Sequence, residues 1–316
     1  MDFTEFNLGL DDEGRRLDRI LRIFLKNSSL SELYSLIRKN LIRINDKKTS
    51  ADYKIQHSDK LKIASFLLEK QNLKSENENK SSKIESDLKI ILKTDDLIFI
   101  NKPYDIEVHG KNNSLNEKVK ILYESCKKNS SLSFVPGPLH RLDKKTTGII
   151  AFSQSLKGAK WFSENIKNHK IQKTYIAVLE GHIEKNEHWE DFINQTEKSK
   201  ENNFYKVKIS QNQTSEKEKK AITDIFPLEN LEINGKKITI AKINIKTGRT
   251  HQIRSQSALH GFPLLGDNAY GAKKINSNRD FFLHAAELSL PANPLNLPQI
   301  IVCGYKKDLE EFLKNI

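Results

Sequence analysis

A chain of 316 residues, 37% hydrophobic and 30% charged, can bury more than one core, and no stretch of it reaches the ~18 apolar residues that a membrane-spanning helix needs. Its 53 Lys and Arg outnumber 41 Asp and Glu, a net charge of +12 that points to a polyanionic partner, nucleic acid before a membrane surface, although biased codon usage also yields Lys-rich chains. Two widely separated cysteines, Cys126 and Cys303, exclude a disulfide framework and a thiolate-built zinc site and suit a reducing compartment; with no basic-then-apolar leader in residues 1–10, a cytoplasmic protein is expected.

Residues 1–13 read as a polar lead-in. From Arg15 the pattern turns helical: Leu17, Ile20, Leu21, Ile23, Phe24 and Leu25 recur at three- and four-residue spacing, with Arg16, Arg19 and Arg22 between them. Asn27-Ser28-Ser29 breaks that run. Ser29 or Ser31 can cap a second helix that carries Leu33, Leu36 and Ile37 and ends in Arg38 and Lys39, where cations suit the helix dipole. A short strand over 41–45, a turn at Asn45-Asp46 and a strand over 60–63 follow. Arg16, Arg19, Arg38, Lys39, Arg43, Lys47 and Lys48 spread cations over a helical face and the next loop, as tracking a phosphate backbone requires. A solvated basic face that binds nothing has the same composition. Residues 68–87 exchange nearly all apolar side chains for Lys, Glu, Asn and Ser and cannot bury enough surface to order themselves. They read as a flexible linker that lets a domain at 1–67 move relative to one at 88–316.

The second domain opens with two strands, 90–92 and 97–100, around Thr94-Asp95-Asp96, then Asn101-Lys102-Pro103, then an amphipathic helix with a polar loop over 111–134. His140-Arg141-Leu142-Asp143 comes next, followed by the turn residues Thr146-Thr147-Gly148 and an apolar run, 149–152, that reads as a buried strand. Asp143 thus sits on a loop that a core strand fixes, a good place for a reactive group. A surface turn with a capping Asp fits the same letters. A helix over 154–168, a strand through Lys173 and Tyr175, and paired strands 221–226 and 238–245 with a turn at Asn234-Gly235 follow, interrupted by a polar stretch at 183–219 that is hard to read. Thr247-Gly248-Arg249-Thr250-His251-Gln252-Ile253-Arg254 is strand-like up to Arg254 and leads into a helix ending near Gly261. Gly266-Asp267, Tyr270-Gly271 and Leu283-His284-Ala285 are the last distinctive pieces.

Taken in order across 98–288, these pieces resemble the RluA-type pseudouridine synthases, and residues 14–63 resemble the S4 RNA-binding module. Thr146-Thr147-Gly148 replaces the usual Thr-Ser-Gly and keeps a hydroxyl; Asp105 stands where the family's Asn-Lys-Pro-Xaa-Gly opening has Gly. The resemblance implies an α+β fold: a catalytic domain with a long mixed, mostly antiparallel sheet, flanking helices and a cleft across it, plus a small N-terminal S4 α/β domain. It implies Asp143 as catalytic carboxylate, Tyr175 against the target base and a basic residue against the Asp. The S4 arm places the chain in the large-subunit ribosomal RNA branch, so ribosomal RNA is the expected partner of a protein expected to be monomeric.

Isomerising uridine breaks the N1 glycosidic bond, turns the base and joins C5 to the sugar. Nothing is oxidised and no group is gained, so neither a cofactor nor a metal is expected. The carboxylate engages the sugar or the base and must stay ionised in a pocket that excludes water, which calls for a cation beside it. Arg254 is the first candidate and Arg249 the second. The base must also leave the RNA stack. Arg141, His140 and Arg249 are the candidate substrate-binding residues, Arg141 filling the vacated space, and Tyr175 can stack on the base. An ordinary strand aromatic is the commoner fate of such a Tyr. His140, His251 and His284 lack the short paired spacing of common zinc motifs, so structural hydrogen bonds are expected of them. A non-catalytic RNA-binding or ribosome-assembly protein would explain the basic arm but not a carboxylate facing RNA phosphates. A glycosidic hydrolase would want a second carboxylate near the first.

Overall fold

The computed structural model describes residues 1–69, 87–110, 113–125, 131–194, 197–198 and 205–316. In its N-terminal part, strands β1 (Phe3–Asn7), β2 (Ile42–Ile44), β3 (Lys47–Lys48) and β4 (Lys60–Ala64) form an antiparallel sheet in the order β1-β4-β2-β3. Helices α1 (Leu17–Phe24) and α2 (Leu30–Arg38) lay Leu17, Ile20, Leu21, Leu33 and Ile37 against Ile42, Ile44, Leu61 and Ile63. Ser29 caps α2 by accepting the Glu32 amide. A short helix, α3 (Ser65–Glu69), follows β4.

β1 replaces the expected polar lead-in. Its two apolar side chains are spent locally: Phe6 packs edge-on against Phe24, and Phe3 lies under the Arg43 guanidinium at 4.3 Å. Its strand character comes from five residue pairs with β4, some sixty positions away, which no local pattern records. The rest of the lead-in ties this part of the chain to the remainder. Asp12 is fully buried, and its carboxylate accepts the Ser131 and Ser133 hydroxyls and the Leu132 and Ser133 amides. Asp11 accepts the Leu156 amide, and Leu132 packs on the N-terminal core. A buried carboxylate is tolerated when its lone pairs are filled in this way. Residues 70–86 of the expected linker lie outside the described residues.

The remaining strands are β5 (Ile90–Lys93), β6 (Leu97–Lys102), β7 (Thr147–Ser153), β8 (Gln172–Glu180), β9 (Glu187–Ile193), β10 (Glu197–Lys198), β11 (Tyr205–Lys206), β12 (Ile209–Ser210), β13 (Lys219–Ile233), β14 (Lys236–Ile245), β15 (Leu283–Ser289) and β16 (Ile300–Val302). β10 and β11 pair with each other. The others build one ten-stranded sheet in the order β12-β9-β13-β14-β8-β15-β7-β6-β5, with β16 alongside β15. Among the described residues only β7 and β15 run parallel. The architecture is the expected α+β class, with a mixed, mostly antiparallel sheet.

Helices α4 (Leu115–Ser125), α5 (Leu156–Lys167), α6 (Gln252–Leu259) and α7 (Lys306–Lys314) flank the sheet. Central strand β8 is apolar without alternation because both its faces are covered. Tyr175, Ala177 and Leu179 join one core with α4 and Ile253 of α6; Ile176 and Val178 join the other with Leu309 and Phe312 of α7. The Tyr175 face carries the cleft. β9 accounts for part of the stretch that sequence leaves obscure: Trp189, Asp191 and Ile193 point inward, and His188 and Glu190 outward. Asp191 is a polar residue on a core face, which blurs the alternation. It hydrogen-bonds Gln256 at 2.7 Å and His260 at 3.0 Å, and so fastens α6 to the sheet.

Gly148 sits where β7 meets β15, with φ of +102°, and a Cβ there would run into the Ala285 backbone. Gly148→Ala combines left-handed strain with overpacking, so a loss of about 3 kcal/mol or more is expected. It is read as a lower urea midpoint at unchanged slope.

Candidate active site

The loop carrying Asp143 is pinned along its length. The Leu139 amide donates to the Ala151 carbonyl at 2.9 Å, and the Ala151 amide donates back to Nε2 of His140 at 3.0 Å. The His140 ring stacks on Phe162, and burial, helped by the Lys173 charge, pushes its pKa down to about 3. His140 is therefore a neutral acceptor that holds the loop to β7. The Thr146 amide closes a turn on the Asp143 carbonyl. Beneath the loop lies Lys102, fully buried, whose Nζ donates to the carbonyls of Pro103, Ile106 and Lys144 at 2.9, 2.8 and 2.7 Å. Burial pushes its pKa down to about 8, against the opposing pull of Asp143.

The Asp143 side chain is 30% exposed and faces the cleft. Arg254 Nη1 lies 3.9 Å from its Oδ2, and His251 Nε2 lies 3.8 Å away. Arg249, the second candidate cation, instead donates Nε to the Lys220 carbonyl at the rim. Arg254 is held hard. Its Nε and Nη2 form a fork with Asp267 at 2.7 and 2.8 Å, and its plane lies within 5 Å of the Tyr270 and Phe281 rings. Burial works against its charge, but the Asp267 fork, with Asp143 behind it, outweighs that and firms the guanidinium as a cation.

The Thr-His-Gln-Ile run is not a strand. His251 adopts the left-handed conformation, φ of +51°, and α6 begins at Gln252. Its two β-branched residues, Thr250 and Ile253, give the run its strand look. Gln252 overrides them: its amide group takes the Arg249 amide and Thr247 hydroxyl and donates to the Ile222 carbonyl and Thr223 hydroxyl, folding the segment into a turn against β13. The turn aims His251 and Arg254 at Asp143. Burial lowers the His251 pKa, against the Asp143 charge, and its Nδ1 hydrogen-bonds the Tyr270 hydroxyl at 2.9 Å.

Tyr175 lies on β8 and lines a cavity of about 560 Å³ together with Asp143, Arg141 and Arg249. Burial first, then the Asp143 charge, raises its pKa well above that of free tyrosine, so it is a neutral phenol. Exposed Arg141 and Asp143 also border a second cavity of about 490 Å³ with His251, Arg254, Lys144 and Lys145, so the carboxylate stands at the junction of two basic hollows. His284, fully buried, hydrogen-bonds Thr147. The structure therefore brings Asp143, Arg254, Tyr175 and Arg141 together, and puts His140 behind the loop and Arg249 on the rim. Sequence reasoning gave no role to Lys102, Asp267 or Tyr270, although Asp267 and Tyr270 fall in a recognised stretch, and expected of His251 only a structural hydrogen bond. In the N-terminal part, Arg19, Arg38, Lys39, Lys47 and Lys48 are exposed, Arg16 pairs with Asp18 at 2.8 Å and Arg43 donates to the Asn40 carbonyl.

The fold has counterparts among solved structures. The human RNA pseudouridylate synthase domain containing 4 aligns with a TM-score of 0.59 at 20% identity, over 76% of this chain and 96% of that one. The human domain containing 1 protein aligns at 0.54 and 22%, over 72% and 95%. These likenesses define the fold. The family described as RNA pseudouridylate synthase matches residues 96–259, which include Asp143, Tyr175 and Arg254. The ribosomal large subunit pseudouridine synthase C of Buchnera aphidicola subsp. Schizaphis graminum is 31% identical, over 84% of this chain and 79% of that protein. The Haemophilus influenzae and Vibrio vulnificus proteins of the same name are 29% and 26% identical, over 87% and 97% of this chain and 83% and 94% of theirs. The chain belongs to the RNA pseudouridylate synthase family, RluA type, and is an RNA pseudouridine synthase.

Proposed function

We propose that this enzyme isomerises specific uridines of large-subunit ribosomal RNA, with Asp143 as the catalytic carboxylate. The observation that carries the reading is the placement of Asp143, open to the cleft, 3.9 Å from a guanidinium that Asp267 fixes from behind. The names of the relatives support the choice of RNA. Arg254 keeps the carboxylate ionised, and the electron pair of the breaking N1–C1′ bond leaves with the base. Tyr175 supports the extruded base, and Arg141, exposed beside Asp143, occupies the gap the base leaves. Residues 1–67 act as an S4-like arm, with exposed Arg19, Arg38, Lys39, Lys47 and Lys48 on phosphates and Arg16 and Arg43 behind them. The catalytic domain is 88–316, and the protein works as a cytoplasmic monomer.

The test is carbodiimide mapping of ribosomal RNA from cells lacking the gene, with add-back of wild type and Asp143→Ala. Specific stops that vanish and return only with wild type support the reading. Unchanged stops, or rescue by Asp143→Ala, overturn it. Tyr175→Ala is expected to lower kcat/KM roughly 10- to 100-fold, the ~1–3 kcal/mol of a lost base stack. Tyr175→Phe, which keeps the ring, retains most activity in the same single-turnover assay.

A further inference from the structure

Lys173 has no role in the chemistry above, yet its setting is costly. It sits two residues before Tyr175 on β8, so both side chains share a face about 6.6 Å apart along the strand. The two line the same 560 Å³ cavity. Lys167, His169, Lys246 and Arg249 also line it, and Asp143 is the only carboxylate in the lining. Lys246 is engaged with Asp224 at 3.4 Å, His169 with the Lys246 carbonyl and Arg249 with the Lys220 carbonyl. Lys173 has no carboxylate within 4 Å among the described residues. Burial alone acts on its pKa, pushing it down. The Gly248 turn closes over it, and a Cβ on Gly248 would lie 3.1 Å from Nζ. Glycine therefore makes room for an ammonium that the protein does not neutralise. A half-buried uncompensated cation is unfavourable until an anion joins it.

We propose that Lys173 binds the 5′-phosphate of the target uridine nucleotide while its base lies on Tyr175. This rests on the reading that the nucleotide enters beside Asp143. One nucleotide then spans the cavity, base toward Tyr175 and Asp143 and phosphate toward Lys173. The anion supplies the charge partner that the fold withholds, and the ammonium supplies a point-charge donor. Lys173 thereby selects a nucleotide whose phosphate has swung inward with its base, and disfavours one still stacked in the strand.

The probe is uridine 5′-monophosphate against uridine, titrated into the whole protein and followed by protein NMR. Wild type is expected to bind the monophosphate about tenfold or more tightly than uridine, the size of one charge-assisted hydrogen bond. Lys173→Met is expected to bring the two within twofold, Lys173→Gln to do nearly the same, and Lys173→Arg to keep part of the preference. A wild type without preference, or a preference that survives in whichever of the Met and Gln variants folds, overturns the proposal. Turnover plays no part in this readout. Failure of the ribosomal RNA reading would show as unchanged mapping stops, and failure of the phosphate site as an unchanged ligand preference.

Discussion

Asp143→Asn is expected to abolish pseudouridine formation, by about 10,000-fold or more, while RNA affinity stays within a few fold of wild type. The amide keeps the side chain's size and its place on a loop pinned by His140 and Lys102, so the cleft keeps its shape. What disappears is the charged oxygen facing the substrate, and removal of a central reacting group has effects of this order in other enzymes. On the proposed reading affinity survives, because cations spread over the cleft and the N-terminal face would each engage phosphate independently of Asp143. Tritium release from RNA labelled at uridine C5, under single-turnover conditions, measures the first quantity, and gel retardation the second. Release of free uracil by wild type would speak for a glycosidic hydrolase instead. Two of the nearby acids are already engaged, Asp267 with Arg254 and Asp105 with Lys144 at 3.3 Å, and Glu107, which lines the second cavity, is the carboxylate a hydrolase would have to use.

Asp143, Tyr175 and Arg254 were picked out in the sequence because the short runs that hold them resemble the motifs of the RluA-type family. The apolar run 149–152 foretold β7, and Leu17 to Leu25 foretold α1, since periodicity survives wherever one side of an element faces a core. What stayed hidden depends on partners far along the chain. β1 is a strand because β4 pairs with it. Asp12 falls in the stretch expected to be a polar lead-in, yet it is buried against Ser131 and Ser133. Asp267 and Tyr270 act on Asp143 only through Arg254 and His251, and no spacing rule encodes an effect passed through an intermediate side chain. Arg254 itself was foreseen at the end of a strand and stands instead on the first turn of α6, because Gln252 captures the preceding backbone and His251 takes the left-handed turn. Arg254 nonetheless lies 3.9 Å from Asp143. The choice rested on the need of a cleft carboxylate for a cation, which holds whichever element supplies it.

That need has a measurable consequence at Asp267. Asp267→Ala is expected to destabilise the protein by about 3–5 kcal/mol, because it takes from Arg254, only 6% exposed, the bidentate carboxylate that offsets its burial. Activity should fall as well, since the freed guanidinium loses the fork that aims Nη1 at Asp143 and its orientation is no longer imposed. Arg254→Met in the same chain separates the two effects. A thioether between the Tyr270 and Phe281 rings is well accommodated, and with both charges gone no buried ion is left unsatisfied. The double variant should therefore recover most of the lost urea midpoint. Turnover should not recover, because Asp143 then lacks the cation within 4 Å that holds its charge in place. If Arg254 served only the fold, stability and turnover would return together in the double variant. If it serves Asp143, they part company, with a near-normal unfolding curve and kcat lower by about 100-fold or more.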